Sequence, residues 1–192
     1  MAVRALLLVV AVAVLAGCGG NDSTAPATTT LVTTGVVTTT PVGPEGASTT
    51  PVAWTSDLGE VALLTGVRAA SHDGYDRVVF EFRNGVPGYD VGYVRRPVRA
   101  DGSGAPVAVD GGAVLLVRME PALDADLTKE SAPRTYTGPA RLRPGATAVV
   151  ELVRTGGFES VLTWAVGVDE TRPFRVTRLE GPPRIVIDVV SG

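Results

Sequence analysis

Residues able to do acid–base or nucleophilic chemistry are scarce in this 192-residue chain: it has one histidine, His72, and one cysteine, Cys18. His72 stands with Ser71, Asp73 and Asp76 at the entrance to an alternating segment, and a histidine base beside an aspartate can activate a hydroxyl nucleophile. No Gly-x-Ser-x-Gly motif accompanies them, and Ser71 is a neighbour only in sequence. The simpler reading makes Asp73-Gly74 a turn and lets Asp76 or Glu81 pair with Arg77 or Arg83 across strands. A second constellation is Asp124-Ala125-Asp126 with Glu120 and Glu130. Calcium takes carboxylate oxygens, but Asp-x-Asp is a common spacing and the glycine-bearing loop of an EF-hand is missing, so a solvated acidic loop without metal is expected. One cysteine excludes an intramolecular disulfide and a multi-thiolate zinc site. One histidine leaves little room for proton transfer near neutral pH. The expectation is a protein that is not an enzyme and carries no cofactor.

Aromatic side chains are the other residues that could meet a ligand, because sugar rings stack on aromatic faces. The candidates are Tyr75, Tyr89, Tyr93, Tyr136 and Trp164. Trp164 shares the more apolar face of its segment with Leu162 and Val166, which favours core packing over stacking on a ligand. Tyr89 and Tyr93 share a face with Val91, which favours a half-buried place in a sheet. Trp54 reads as a short anchoring residue rather than a site.

Cys18 has a chemistry of its own. Residues 1–4 form a short basic start, and residues 5–16 are an unbroken apolar run. That run fits a signal-peptide core and falls short of the roughly 20 apolar residues needed to cross a bilayer. It ends in Leu15-Ala16-Gly17-Cys18, which resembles the lipobox of bacterial lipoproteins. In that motif the thiol is alkylated by a diacylglyceryl group and the chain is cut just before the cysteine, here between Gly17 and Cys18. Small residues at Ala16 and Gly17 let the backbone lie in a peptidase cleft. Acyl chains such as palmitate then hold the protein to the membrane, each buried methylene contributing about 0.8 kcal/mol. The implied location is the extracytoplasmic face of the cell membrane.

The elements that must present these residues follow from composition. With 45% hydrophobic residues, 5% aromatics, 23 glycines and 14 prolines, short strands and many turns are expected rather than long helices. A net charge of −3 argues against sequence-independent nucleic-acid binding, which needs a basic face. Lys129 is the only lysine, a bias read as genomic rather than functional. Three segments result: a lipoprotein signal peptide over 1–17, lipidated Cys18 with a Thr/Pro-rich disordered tether over 18–57, and a β domain over 58–192. The tether has runs such as Thr28-Thr29-Thr30 and Thr38-Thr39-Thr40 and no charge between Asp22 and Glu45, so it buries too little apolar surface to order itself. Thr/Pro tracts of this kind are typical acceptors of O-glycosylation.

In the β domain, Val78, Phe80 and Phe82 alternate with Arg77, Glu81 and Arg83. Further strands are expected at 61–69, 89–95, 113–119, 148–154, 161–168, 174–179 and 185–189. Turn signals separate them at Asn84-Gly85, Asp101-Gly102, Asp110-Gly111-Gly112, Pro144-Gly145, Gly156-Gly157 and Gly181-Pro182-Pro183. Such spacing predicts an antiparallel β-sandwich or open barrel. Residues 121–143 read as a long loop with a turn of helix near 123–129.

Several segments resemble the AMIN-like domain of actinobacterial lipoproteins. They are His72-Asp73-Gly74-Tyr75-Asp76-Arg77-Val78-Val79-Phe80-Glu81-Phe82, Pro87-Gly88-Tyr89-Asp90-Val91-Gly92-Tyr93-Val94 and Asp101-Gly102-Ser103-Gly104. Three more follow: Phe158-Glu159-Ser160-Val161-Leu162-Thr163-Trp164-Ala165-Val166-Gly167-Val168, Pro173-Phe174-Arg175-Val176 and Pro183-Arg184-Ile185-Val186-Ile187-Asp188-Val189. The resemblance runs from about residue 64 to 189. It implies an all-β sandwich related to the AMIN domain, which targets envelope proteins to peptidoglycan or to envelope complexes. Binding rather than catalysis is thereby implied, with peptidoglycan, its attached polymers or an envelope protein as partner. The alternative is a scaffold or regulatory lipoprotein that docks a membrane complex through a sheet edge. Replacing Cys18 by serine is expected to move the chain from the membrane pellet to the soluble fraction, and retention in the pellet on fractionation would refute lipid anchoring.

Overall fold

The computed structural model describes residues 43–192, so the signal segment, Cys18 and the tether up to residue 42 lie outside the described residues. Alternation does what it predicts. In β3 (Tyr75–Arg83), Val78 and Phe80 are fully buried and Phe82 nearly so. The other long strands are β2 (Ala62–His72), β4 (Gly88–Tyr93), β7 (Ala113–Glu120), β10 (Val149–Phe158), β11 (Val161–Val168), β12 (Phe174–Glu180) and β13 (Pro183–Val190). All eight expected strands are present. The short ones are β1 (Val52–Trp54), β5 (Val98–Arg99), β6 (Pro106–Val107), β8 (Ala122–Leu123) and β9 (Arg141–Leu142).

The strands form a six-stranded sheet in the order β1-β4-β7-β11-β10-β9 and a five-stranded sheet in the order β12-β13-β3-β2-β8, with β5 and β6 as a separate hairpin. Every pairing is antiparallel except the two-residue contact of β2 with β8. The inner faces share one core. Val78 and Phe80 of β3 and Ile185, Ile187 and Val189 of β13 meet Leu115, Val117 and Met119 of β7 and Leu162, Trp164 and Val166 of β11. Trp164 sits at the centre, with the rings of Phe80 and Tyr136 edge-on to it at 5.9 and 5.7 Å. The chain is an all-β sandwich.

Two sheets stacked in this way leave a seam on each side. Along the first, Ser48 pairs with Phe174 at the edge of β12 through backbone bonds of 3.0 and 2.8 Å. A few residues later β1 adds to the edge of β4, with Val52 opposite Val91 and Trp54 opposite Tyr89. Trp54 packs 6.1 Å from the Tyr89 ring, and the Arg178 guanidinium of β12 lies 3.8 Å above it, so the indole bridges the sheets. The expectation that the tether runs to residue 57 is therefore corrected. Residues 48–57 belong to the sandwich, because two exposed edges offer them backbone partners that composition alone does not reveal.

Residues 121–143 close the second seam. β8 pairs with β2, and β9 pairs with β10. Thr135 Oγ1 donates to the Leu64 carbonyl at 2.7 Å, and Tyr136 is buried with its hydroxyl donating to the Pro139 carbonyl. The expected turn of helix near 123–129 is absent; the segment holds β8 and then tight turns, with the Asp126 carboxylate accepting from the Thr128 amide and hydroxyl. That local bonding competes with the helical i→i−4 pattern.

The hairpin β5–β6 folds over the outside of the six-stranded sheet, where Val98 and Val109 pack on Val114, Val153 and Ala165 in a second small core. Gly156 and Gly167 make that cover fit, since a Cβ on either would collide with Asp101 or with the Asp110 carbonyl. Gly156-Gly157 is thus no turn but part of β10. The hairpin reverses instead at Glu159-Ser160, both with positive φ (49° and 61°). A chain starting at residue 58 is expected to melt well below one starting at residue 43. Trp54→Ala should cost the longer chain about 2–3 kcal/mol. Coincident thermal unfolding curves would show that the first seam adds nothing to stability.

Candidate functional site

The β5–β6 hairpin covers part of the outer face of the six-stranded sheet, whereas no hairpin covers the outer face of the five-stranded sheet among the described residues. Register sets what it shows. Arg175, Asp188, Arg77 and Ala70 form one cross-strand row, Thr177, Val186, Val79 and Arg68 the next, and Arg184 opposes Glu81 in a third. Tyr75 and His72 face each other at the end of the sheet. These residues lie on the opposite side of their strands from Phe80 and Ile187, as a two-residue period requires.

At the centre is Asp188, fully buried although it points away from the core. Arg77 clasps it through Nε to Oδ1 at 2.7 Å and Nη2 to Oδ2 at 3.0 Å, and Arg175 Nη2 reaches Oδ2 at 3.2 Å. The Asp188 hydrogen bond raises the Arg77 pKa above its ordinary value, against the opposing effect of burial. Two guanidinium groups thus serve one carboxylate, with side chains 35% and 38% exposed. Arg77 also lies 5.2 Å from the Tyr75 ring centroid, and His72 stacks on that same ring at 5.0 Å and 13° between planes. Glu81 is paired with Arg68 at 2.9 Å. The arrangement is a polar, arginine-rich surface beside a flat aromatic plate. It can hold an anion and a ring without any covalent step.

The residues singled out by sequence are scattered. Asp73-Gly74 is the β2–β3 turn, as expected. The expected partners of the acidic groups are wrong, however: Arg77 pairs with Asp188 and Glu81 with Arg68, while Asp76 faces inward. Asp76 is fully buried; it accepts from Ser71 Oγ at 2.7 Å and from the Ala148 and Val149 amides at 2.6 and 2.8 Å. That carboxylate staples the β2–β3 turn to the start of β10 in the other sheet. His72 is exposed and engaged with Tyr75.

The solvated acidic loop is also corrected. Asp124 and Asp126 are 6% and 8% exposed. Asp124 binds Arg134 at 2.7 Å and Arg154 at 3.0 Å, and Asp126 is held by Thr128 and Lys129. Arginines remote in sequence neutralise Asp124, which is why its neighbours gave no sign of burial.

Of the aromatic candidates, Trp164 and Tyr136 are 0% and 3% exposed and lie inside the core, out of reach of a ligand on the surface. Tyr89 is also buried, between Trp54 and the core. Tyr93 is half-buried; its hydroxyl donates to the Arg172 carbonyl at 2.8 Å and accepts from the Arg172 amide at 3.0 Å. Burial pushes the hydroxyl pKa of Tyr89, Tyr93 and Tyr136 upward. Tyr75 alone stands on the open face.

Sequence reasoning missed Arg77, Arg175 and Asp188 as a unit. The available signal was a lone carboxylate within Ile185-Val186-Ile187-Asp188-Val189, which demands a cationic partner when buried. Two shallow grooves lie apart from this region, one beside β1, β4 and β7 of the six-stranded sheet and one beside β2 and β3. One of about 560 Å³ is lined by Ser56, Asp90, Arg118 and Glu120. The other, about 580 Å³, lies at the far end of the open face between Leu63, Arg83, Leu123 and Leu127.

Comparison with known proteins gives one match: the family model of the AMIN-like domain covers residues 62–191. No curated protein and no solved structure matches the chain.

The geometry separates the two roles offered for the His72 cluster. Asp76→Ala is expected to lower stability by about 2–4 kcal/mol, because three donors lose their acceptor inside the protein. His72→Ala should change stability by less than about 0.5 kcal/mol. Urea unfolding of both variants checks this, and a neutral Asp76→Ala would contradict the staple.

Proposed function

The chain belongs to the AMIN-like domain family, and from that premise we propose that it is a non-catalytic, membrane-anchored envelope lipoprotein whose β domain binds cell-envelope glycan. Family membership is the observation that carries the reading, since kinship with the AMIN envelope-targeting domain implies binding at the envelope. Three features support it. Leu15-Ala16-Gly17-Cys18 supplies a lipid attachment point after an apolar leader. The Thr/Pro-rich segment that follows has the composition of a spacer. The sandwich keeps one sheet face open, with arginine and aromatic side chains on it and its buried carboxylates occupied by structural partners.

A second reading, a scaffold that docks an envelope protein by strand addition, is favoured by one observation. β12 is an edge strand whose outer side takes Ser48 opposite Phe174, while the edge from Val176 to Glu180 continues beyond that bridge.

Co-sedimentation with isolated sacculi decides between the readings. Saturable pelleting that survives moderate salt is the expected outcome. Absence of pelleting, with site-specific crosslinks from Arg178 or Glu180 to one envelope protein, would replace the glycan reading with the docking one.

A further inference from the structure

Asp188 poses a physical question. A fully buried carboxylate on the outer face of a sheet needs one cation, yet it has two. The bidentate clasp by Arg77 already gives both oxygens a charge-assisted hydrogen bond. Arg175 adds a third contact at 3.2 Å, and its Nη1 approaches the Glu45 carbonyl at 3.4 Å. The local balance is one positive charge in excess, in a chain whose net charge is −3. Both guanidinium planes are held by the carboxylate beneath them, so much of the cost of ordering them is met before any ligand arrives. Each remains more than a third exposed. Tyr75 stands two residues back along β3 on the same face, its ring centroid 5.2 Å from the Arg77 guanidinium and with His72 stacked on it.

We propose that this face is a binding site for an acidic sugar unit of an envelope glycan, with its oxyanion on Arg77 and Arg175 and its ring on the Tyr75–His72 plate. The inference rests on the glycan-binding reading and names the site and ligand class for it. Guanidinium pairs match the geometry of carboxylate and phosphate oxygens alike, so the shared chemistry is an oxyanion carried by a sugar. The aromatic plate favours a ring over a simple acyl-glycerol headgroup, which brings a phosphate but nothing to stack. Asp188 is a positioning residue, and it fixes the two arginines that touch the ligand.

The test uses the full chain in mild detergent, pelleted with intact sacculi, with sacculi stripped of phosphodiester-linked polymers, and with neutral chitin. Binding to intact sacculi and not to chitin is expected. Loss on stripping assigns the oxyanion to phosphate, and retention assigns it to a sugar carboxylate. Arg175→Gln leaves the Arg77–Asp188 clasp in place and should weaken binding about tenfold, as should Tyr75→Ala. Leu127→Ser, at the far end of the face, should bind as the parent does. Thermal melting of each variant separates lost contact from lost fold. Equal pelleting with chitin, or undiminished binding by both Arg175→Gln and Tyr75→Ala, would overturn the assignment and leave glycan binding intact. Failure of the parent chain to pellet with any sacculi would overturn both.

Discussion

Two sheets can share a core only if water is kept from entering along the sides where their edge strands run past each other. In this chain neither seam is closed by a long strand. On one side the chain leaves Ser48 on the edge of β12 and then lays β1 on the edge of β4, so one short segment is paired to both sheets. Trp54 and Arg178 fill the gap between them. On the other side, residues 121–143 pair with β2 at β8 and with β10 at β9, and the buried Tyr136 reaches in to meet Trp164. Asp76 adds a polar fastening near one end, from β3 to the first residues of β10. The large side chains at the centre, Trp164, Phe80 and Phe174, are fully or almost fully buried only because these closures exist.

The same economy explains why the outer faces differ. On the six-stranded sheet, glycines at 156 and 167 admit the β5–β6 cover, and the charge beneath it is consumed by the fold. Glu151 is fully buried there and is met by Arg141, Arg143 and the Asp110 amide. Its partners come from the segments that the cover must hold in place. Nothing folds over the five-stranded sheet among the described residues, so its charges must satisfy one another across strands. Asp188 and Glu81 do this with arginines directly opposite or diagonal in the register. A surface organised in this way is stable without a partner and still presents oriented guanidinium groups to solvent.

What could be read in the sequence follows the same division. The eight long strands were legible because each carries its own alternation, as Val78, Phe80 and Phe82 show. The five short strands were not, because two or three residues hold no periodic signal and pair only where a neighbouring edge invites them. Val52 to Trp54 illustrates this: they follow a threonine- and proline-rich stretch whose composition argues for disorder, and only the edge of β4 orders them. Gly156-Gly157 misled for a related reason. Glycine pairs mark turns, but here they mark a close approach from a segment some fifty residues earlier. Sequence makes Asp124 look solvated because its cations, Arg134 and Arg154, stand 10 and 30 residues further along the chain. The arginine fork was hidden in the same way: Arg77, Arg175 and Asp188 come from three strands, and register alone aligns them.

Register also decides where the open face lies relative to the start of the described chain. Val190 pairs with Tyr75 at the end of the sheet, and Gly43 packs against Val190. The Glu45 carbonyl then meets Arg175, and Ser48 takes the edge of β12 at Phe174. The leading segment therefore forms one wall of the surface that carries Arg77, Arg175 and Tyr75. The residues that close the seam thus also border the candidate site. A change that loosens Ser48 reaches Arg175 through the adjoining Phe174 and through the two residues between Ser48 and Glu45, whereas a change at Leu127 must cross the whole length of β3. Stability at the first seam and order at the arginine pair are consequently one physical problem, set by where the chain enters the sandwich.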